Sequence, residues 1–250
     1  MGKSPRLLLG DEERLQTVSQ YMIHEAQDGD LLLWEPTSLW GHAIAWWTGG
    51  PFSHISVALR LDGWWFSSGL EEKSGRGVNA PLCGEVGRWP RKISVYRVNE
   101  LNERTRLAFR KCCLESLTAS YAWPYIWVLA FSSNCITLGI GKLLAWINGP
   151  CYRRLMDSVE RARKENTGAI CSSHVHKALS LSLGRRVIVK HDSAEVTPNQ
   201  FGISGETAYV CTLVPDYRVK TRVVRPGSTV LGVLLFLLCL LLGWQVWRLF

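Results

Sequence analysis

The sequence lacks a disulfide framework. It holds eight cysteines, but Cys112 and Cys113 are adjacent and Cys239 lies inside a long apolar run. The seven cysteines outside that run are an odd number, and their spacing is not that of a small cross-linked domain. This absence argues against the disulfide-rich secreted scaffolds, and it predicts free thiols in a reducing compartment.

The first residues show no export signal. The segment Arg6-Leu7-Leu8-Leu9 runs directly into Asp11-Glu12-Glu13, which is too acidic and follows too soon for a signal peptide. Gly2 does not satisfy the myristoylation pattern, because Arg6 stands where that pattern needs Ser or Thr. We therefore expect neither export nor N-terminal lipidation.

Concentrated basic charge is scarce, although the net charge is +8. The densest stretch, Arg153 to Glu165, interleaves its arginines with Asp157 and Glu160. Such interleaving is typical of a solvated helix face and not of a nucleic-acid-binding surface. No nucleic-acid partner is expected.

One long apolar run is present near the end of the chain. Thr229 to Trp247 carries no charge, is long enough as a helix to cross ~30 Å of hydrocarbon, and places Trp244 and Trp247 at one end. A buried core helix is the alternative, but such a helix rarely lacks any polar stripe. We predict a transmembrane helix over 229–247.

The charges around that run predict its orientation. The basic residues of the juxtamembrane linker, 216–228, are Arg218, Lys220, Arg222 and Arg225. Only Arg248 follows the run, so the positive-inside rule predicts a tail-anchored protein whose folded domain faces the cytoplasm. The basic cluster is expected to bind anionic membrane lipid.

The remainder has ordinary globular composition and carries periodic element signals. We predict an N-terminal amphipathic helix within 1–27 and one folded domain over 28–215, with an irregular stretch at 73–91. The predicted elements are a helix over 12–26, a strand over 30–34, a helix to Trp47 capped by Thr37 or Ser38, strands over 53–60, 64–70 and 92–98, a helix over 102–117, a helix from Cys171, and strands over 186–190 and 207–213.

Asp62-Gly63 is the strongest hairpin signal in the chain. If these two residues form the turn, His54 faces Glu71 across the ladder, and Ser67 and Gly69 share the face of His54. The register therefore makes Glu71 a candidate partner of His54.

A second apolar segment, Tyr125 to Asn148, is nearly long enough to span a membrane. It carries Lys142, and Ser132-Ser133-Asn134 interrupts it. Because polar groups are costly in lipid, the pattern favours core or lid helices over a second span.

Cys171 follows the turn signal Asn166-Thr167-Gly168 and begins an apolar helix. The first turn of a helix stabilises a thiolate through its unpaired N–H groups and its dipole. A free cysteine is more often a small core residue, and a lone strand histidine such as His54 is more often structural than catalytic. The motifs around Cys171 and His54 favour a catalytic role for both residues.

Three separated motifs resemble the circularly permuted papain-like amidases, the YiiX-like branch of the NlpC-type superfamily. The first runs from Asp30-Leu-Leu-Leu to Phe52-Ser53-His54-Ile55-Ser56-Val57, the second is Ile170-Cys171-Ser172-Ser173-His174-Val175, and the third is Val196-Thr197-Pro198-Asn199-Gln200-Phe201. They occur in the family's order and span residues 28–213.

The resemblance implies an α+β fold, in which a small antiparallel sheet packs on the cysteine-bearing helix. It also implies Cys171 as nucleophile, His54 as general base and later general acid, and no cofactor. Two positions depart from the family: the orienting residue after the histidine falls among Ser67, Ser68 and Gly69, or at Glu71, and Ser173 replaces a glutamate.

The implied reaction is acyl transfer through a thioester, with an oxyanion near the backbone N–H of Cys171. A peptide or N-acyl amide is the expected substrate. The alternative within the enzyme class is a lipid acyl hydrolase or acyltransferase, similar to the lecithin:retinol acyltransferase-like proteins, although their Asn-Cys-Glu-His block is missing here.

Two readings outside thiol catalysis stay open. Cys171-x-x-His174 with His176 has the spacing of metal ligands, but no second close pair completes a zinc site. The histidines are instead expected on the exposed side of the helix, where His174 is also placed to poise the thiolate. The other reading is a non-catalytic membrane scaffold that retains the fold.

Overall fold

The computed structural model describes residues 14–71, 76–88, 92–118, 120–121, 168–188 and 196–216, with a few single positions between 146 and 161. The apolar run 229–247, all of the linker except its first residue, and nearly all of 125–148 lie outside the described residues. In the part of the chain that is described, no helix is both long and apolar enough to cross a membrane.

A nine-stranded sheet organises the described residues. Its strands are β1 (Leu15–Thr17), β2 (Asp30–Trp34), β3 (His54–Leu61), β4 (Trp64–Glu71), β5 (Arg76–Pro81), β6 (Ile93–Val98), β7 (Ser120–Tyr121), β8 (Gly168–Ala169) and β9 (Thr207–Val214). The spatial order is β1-β9-β6-β2-β3-β4-β5-β7-β8, antiparallel except for β1–β9 and β7–β8. The α+β class is confirmed, and the sheet is larger than the small one expected.

Helices cover both faces of this sheet. They are α1 (Val18–His24), α2 (Leu39–Trp47), α3 (Leu82–Arg88), α4 (Glu103–Glu115), α5 (Cys171–Leu183) and α6 (Pro198–Ile203). Residues of α4, α5 and α6 share one core with Leu31 and Leu33, and residues of α1 and α3 share a second core with Leu32 and Trp34. The alternation of apolar side chains along β2 thus supplies a core on each face.

The predicted β-hairpin is confirmed. Asp62 and Gly63 both have positive φ, 49° and 85°, as a type I′ turn requires. The pairs run from Leu61 with Trp64 to Val57 with Ser68, which is the register that a two-residue turn sets. The helix to Trp47 is also confirmed, with Ser38 as its cap.

Three predicted elements were wrong in part. The helix expected over 12–26 begins only at Val18, because residues 15–17 pair with β9 as a strand. The stretch expected to be irregular contains β5 and α3, although its sequence is polar and rich in glycine. Residues 186–188 are not a strand.

Candidate active site

Cys171 is the first residue of α5 and is 5% exposed. Ile170 is extended, with φ −101° and ψ 165°, and its N–H donates to Ser173 Oγ at 3.0 Å. A side chain three residues into a helix that reaches back in this way closes the first turn. Ser173 therefore helps to fix the start of the cysteine helix.

His54 is the first residue of β3 and is half-buried. Its ring meets the Trp34 ring edge-on, with 6.4 Å between the ring centroids. The Trp34 Nε1–H donates to Ser56 Oγ at 2.7 Å, which fixes the indole on the face that carries His54. The imidazole thus lies against a side chain that is itself held in place.

One short segment, residues 196–199, contacts both site elements. The Ser172 hydroxyl, next to Cys171, donates to the Val196 carbonyl at 2.5 Å. The Phe52 N–H donates to Asn199 Oδ1 at 2.9 Å, and Asn199 Nδ2 donates to the Phe52 carbonyl at 3.0 Å. The amino end of α5 and the entry to β3 are therefore tied to the same four residues.

The two candidate residues belong to different faces of the sheet. Cys171 lies in the core that also contains Ile55 and Val57, whereas alternation along β3 places His54 on the face of Ser56 and Trp34. His54 is the first residue of β3 and Cys171 is the first residue of α5, so each candidate lies at the start of its element.

Glu71 is the last residue of β4. The β3–β4 pairs run from Leu61–Trp64 to Val57–Ser68, and an extrapolation of that register by three residues places Glu71 opposite His54. On its other side Glu71 pairs directly with Arg76 of β5. With that extrapolation, an imidazole, a carboxylate and a guanidinium lie in one row across three neighbouring strands. Sequence reasoning missed Arg76, because no turn signal fixed where β5 begins.

The other three candidates for an orienting residue face elsewhere or are engaged elsewhere. Ser67 pairs with Ala58, which is ~13 Å along β3 from His54, and its hydroxyl donates to Ser56 Oγ. Ser68 pairs with Val57 and so belongs to the opposite face. Gly69 offers no side chain, which leaves Glu71 as the candidate in register.

His174 and His176 are buried, at 3% and 0% exposure, so the expectation that they lie on the exposed side of the helix was wrong. Burial lowers the pKa of His174 from 6.5 to about 4, and burial followed by the charge of Arg186 lowers the pKa of His176 to about 4. His176 Nε2 accepts the Ile188 N–H at 3.3 Å, whereas the ring nitrogens of His174 have no hydrogen-bond partner among the described residues. Both rings are neutral at pH 7.

Two other described cysteines are poor nucleophiles. Burial raises the pKa of the Cys113 thiol well above its ordinary value, and burial followed by the charge of Glu25 raises the pKa of Cys211 to about 12. Because the thiolate is the reactive form, these two residues are unsuited to acyl transfer. Cys83 is exposed and makes a useful reference thiol.

The fold resembles that of a solved structure, although comparison of the sequence with family models and curated proteins gives no match. The similar structure is the "Crystal structure of metalloprotein yiiX from Escherichia coli O157:H7, DUF1105". It is 14% identical with a TM-score of 0.51, and the alignment covers 76% of this chain and 99% of that one. At this identity the likeness shows the fold, and it agrees with the YiiX-like resemblance.

Because the similar protein is called a metalloprotein, the site residues were tested as metal ligands. Among the described residues of this chain, no three His, Cys, Asp or Glu side chains come together as a metal centre. Cys171 and His174 supply one sulfur and one imidazole from a single helix, whereas a structural zinc site needs four ligands. The described residues therefore do not fit a metal centre.

Proposed function

We propose that this protein is a thiol hydrolase of the NlpC-type superfamily that cleaves an amide bond, with Cys171 as nucleophile and His54 as general base. The observation that carries the proposal is the shared attachment of the two elements. Through Ser172 and Asn199, residues 196–199 hold both the helix that begins with Cys171 and the strand that begins with His54.

The proposed reaction moves one proton between Cys171, His54 and the leaving amine, and it forms a thioester at the Cys171 sulfur. His54 takes the Cys171 proton, the sulfur bonds to the amide carbon, and the leaving amine departs with the proton from His54. Water then releases the acyl group from the thioester, and the thiol is restored. Glu71 is proposed to orient the imidazole from the neighbouring strand, and on its other side it is in register with Arg76.

The proposal includes a membrane location. The sequence supports a single helix over 229–247 and a basic linker that binds anionic lipid, with the folded domain on the cytoplasmic side. The test is flotation with anionic vesicles of the full chain and of a chain that ends at residue 216. Flotation of both or of neither would contradict the anchor.

Alkylation of the detergent-solubilised full chain by iodoacetamide across pH tests the catalytic assignment. Peptide mass spectrometry reads each cysteine separately, with the exposed Cys83 as the internal reference. Cys171 is expected to react rapidly well below the ordinary thiol pKa of about 8.5, and His54→Ala is expected to remove that acid-side reactivity. His24→Ala, at an exposed position, is the matched control.

The outcomes of the alkylation experiment distinguish an enzyme from a non-catalytic scaffold. If Cys171 reacts no faster than Cys83 at any pH, only the fold is shared with the amidases and the scaffold reading replaces the enzyme. If the reactive thiol is found, hydrolysis of N-acyl amides and short peptides is assayed next, with phospholipid esters in parallel. Turnover of the esters alone would make the protein a lipid acyl hydrolase.

A further inference from the structure

Asn199 is 4% exposed, and its side chain bonds to the loop that leads from α2 to β3. It accepts from the Phe52 N–H at 2.9 Å, and donates to the Phe52 carbonyl at 3.0 Å and to Thr48 Oγ1 at 2.6 Å. One side chain thus pairs both backbone groups of a residue that lies two positions before His54. Because β3 begins only at His54, Phe52 lies outside the strand, and the Asn199 amide takes the place of a strand neighbour.

The loop is shaped to admit this side chain. A Cβ on Gly50 would lie 2.4 Å from Asn199 Oδ1 and 2.5 Å from its Cγ, so glycine is required there for close approach. Thr48 ends α2 and turns its hydroxyl to the carbonyl of Ile44, leaving the oxygen free to accept from Asn199. Both ends of the loop therefore depend on one amide.

We infer that Asn199 is a positioning residue that sets where His54 stands relative to Cys171. The inference rests on the proposed function and deepens it. Ser53, which lies between Phe52 and His54, donates its N–H to the Trp34 carbonyl at 3.0 Å. Asn199 holds the residue before it, so the two contacts together fix the chain that enters β3 at His54. The carbonyl of Val196, in the same segment, accepts the Ser172 hydroxyl. The segment therefore links the position of His54 to that of the cysteine helix.

The test compares Asn199→Asp with Asn99→Asp, which makes the same change at an exposed asparagine. The aspartate keeps the bond from the Phe52 N–H but turns an acceptor toward the Phe52 carbonyl. Thr48→Val is the second variant. It leaves both bonds to Phe52 and removes the third Asn199 contact, together with the bonds from the Thr48 hydroxyl to the Ile44 and Ala45 carbonyls.

The first readout is the NMR signal of the His54 imidazole in full-length protein with labelled histidine, assigned by its loss in His54→Ala. We expect the signal to move in Asn199→Asp, and less in Thr48→Val, while the His24 signal stays in place. If the His54 signal moves no more than that of His24 in both folded variants, the positioning role is overturned, whatever Cys171 does.

The second readout is the pH profile of Cys171 alkylation. With the dyad intact in the wild type, Asn199→Asp is expected to lower the rate at pH 6 by roughly tenfold, since small displacements of a catalytic group cost one to two orders of magnitude. The rate at pH 9, where the thiolate needs no base, changes little. If wild-type Cys171 is unreactive while the His54 signal still moves, the proposed function fails and the positioning role stands.

Discussion

Asp30, the buried first residue of β2, forms a two-point ion pair with Arg97 of β6, whose side chain is partly exposed. Arg97 Nε and Nη2 donate to the two oxygens of Asp30 at 2.7 and 2.8 Å, and Asp30 is 1% exposed. The Tyr21 hydroxyl and the Gln27 N–H complete the shell of the carboxylate at 2.7 and 3.0 Å. The pair fixes the start of β2, next to β3, and ties β2 to β6 and α1.

Asp30→Asn is therefore expected to destabilise the folded domain by about 3 kcal/mol or more. The amide keeps the shape but leaves the Arg97 charge without its partner in a largely buried site. Urea unfolding followed by circular dichroism measures the change. Glu100→Gln, which breaks an exposed pair with Arg185, is the control and should cost less than about 1 kcal/mol. Equal costs for the two changes would contradict this account.

The turn of the hairpin makes a separate prediction. Gly63 has φ +85°, which is strained for any residue with a side chain, and nothing lies within 4 Å of an added Cβ. Gly63→Ala should therefore cost about 1–2 kcal/mol through backbone strain alone. Gly205→Ala also meets open space, at an ordinary φ, and should change the free energy of unfolding by less than about 0.5 kcal/mol. A neutral Gly63→Ala would contradict the type I′ turn.

His174 makes the stability of the domain depend on pH. Its pKa is about 4 in the folded protein against an ordinary 6.5, so the unfolded chain binds more protons between these values. Stability is complete above pH 6.5 and falls as the pH drops toward 4, by up to roughly 2–3 kcal/mol for this group. His174→Leu, which has no proton to bind, should remove that part of the slope.

The measurement is the free energy of unfolding of wild type and His174→Leu at several values between pH 4 and pH 7. The difference between the two proteins should shift in favour of the variant as the pH falls. His24→Leu, at an exposed position, is the matched control. Parallel curves for His174→Leu and the wild type would show that the buried ring is not neutral in the folded state.

Local signals in the sequence predicted the parts of the site that depend on nearby residues. A type I′ turn at Asp62-Gly63 requires positive φ at both positions, so the turn and the pairing from Leu61–Trp64 to Val57–Ser68 follow from two residues. Likewise, the turn before Cys171 was sufficient to predict the start of its helix.

Contacts between distant segments were not predictable in the same way. Asn199 reaches across 147 positions to Phe52, and nothing near either residue indicates the pairing. His174 and His176 were misplaced because α5 is buried on nearly every side of its first two turns, which defeats an argument from one apolar face. Residues 15–17 form a strand because they pair with β9, although the spacing of the apolar residues around them is helical.

The row formed by His54, Glu71 and Arg76 gives the last prediction. A carboxylate beside an imidazole stabilises its charged form, which in turn stabilises a thiolate. Glu71→Gln keeps the shape of the side chain and removes the charge. The acid limb of Cys171 alkylation should then move up by about one pH unit, while the rate above pH 9 is unchanged. Glu115→Gln, at an exposed carboxylate paired with Lys111 on α4, is the matched control.

The same profile distinguishes two roles for Glu71. If Glu71 only ties β4 to Arg76, Glu71→Gln and Arg76→Gln would lower stability together and leave the acid limb in place. If Glu71 orients the base, Glu71→Gln moves the limb, and Arg76→Gln moves it less, because the carboxylate is retained. An acid limb that stays in place in Glu71→Gln would exclude the row from the reaction, and the orientation of His54 would then depend on Trp34 and on the backbone that Asn199 holds.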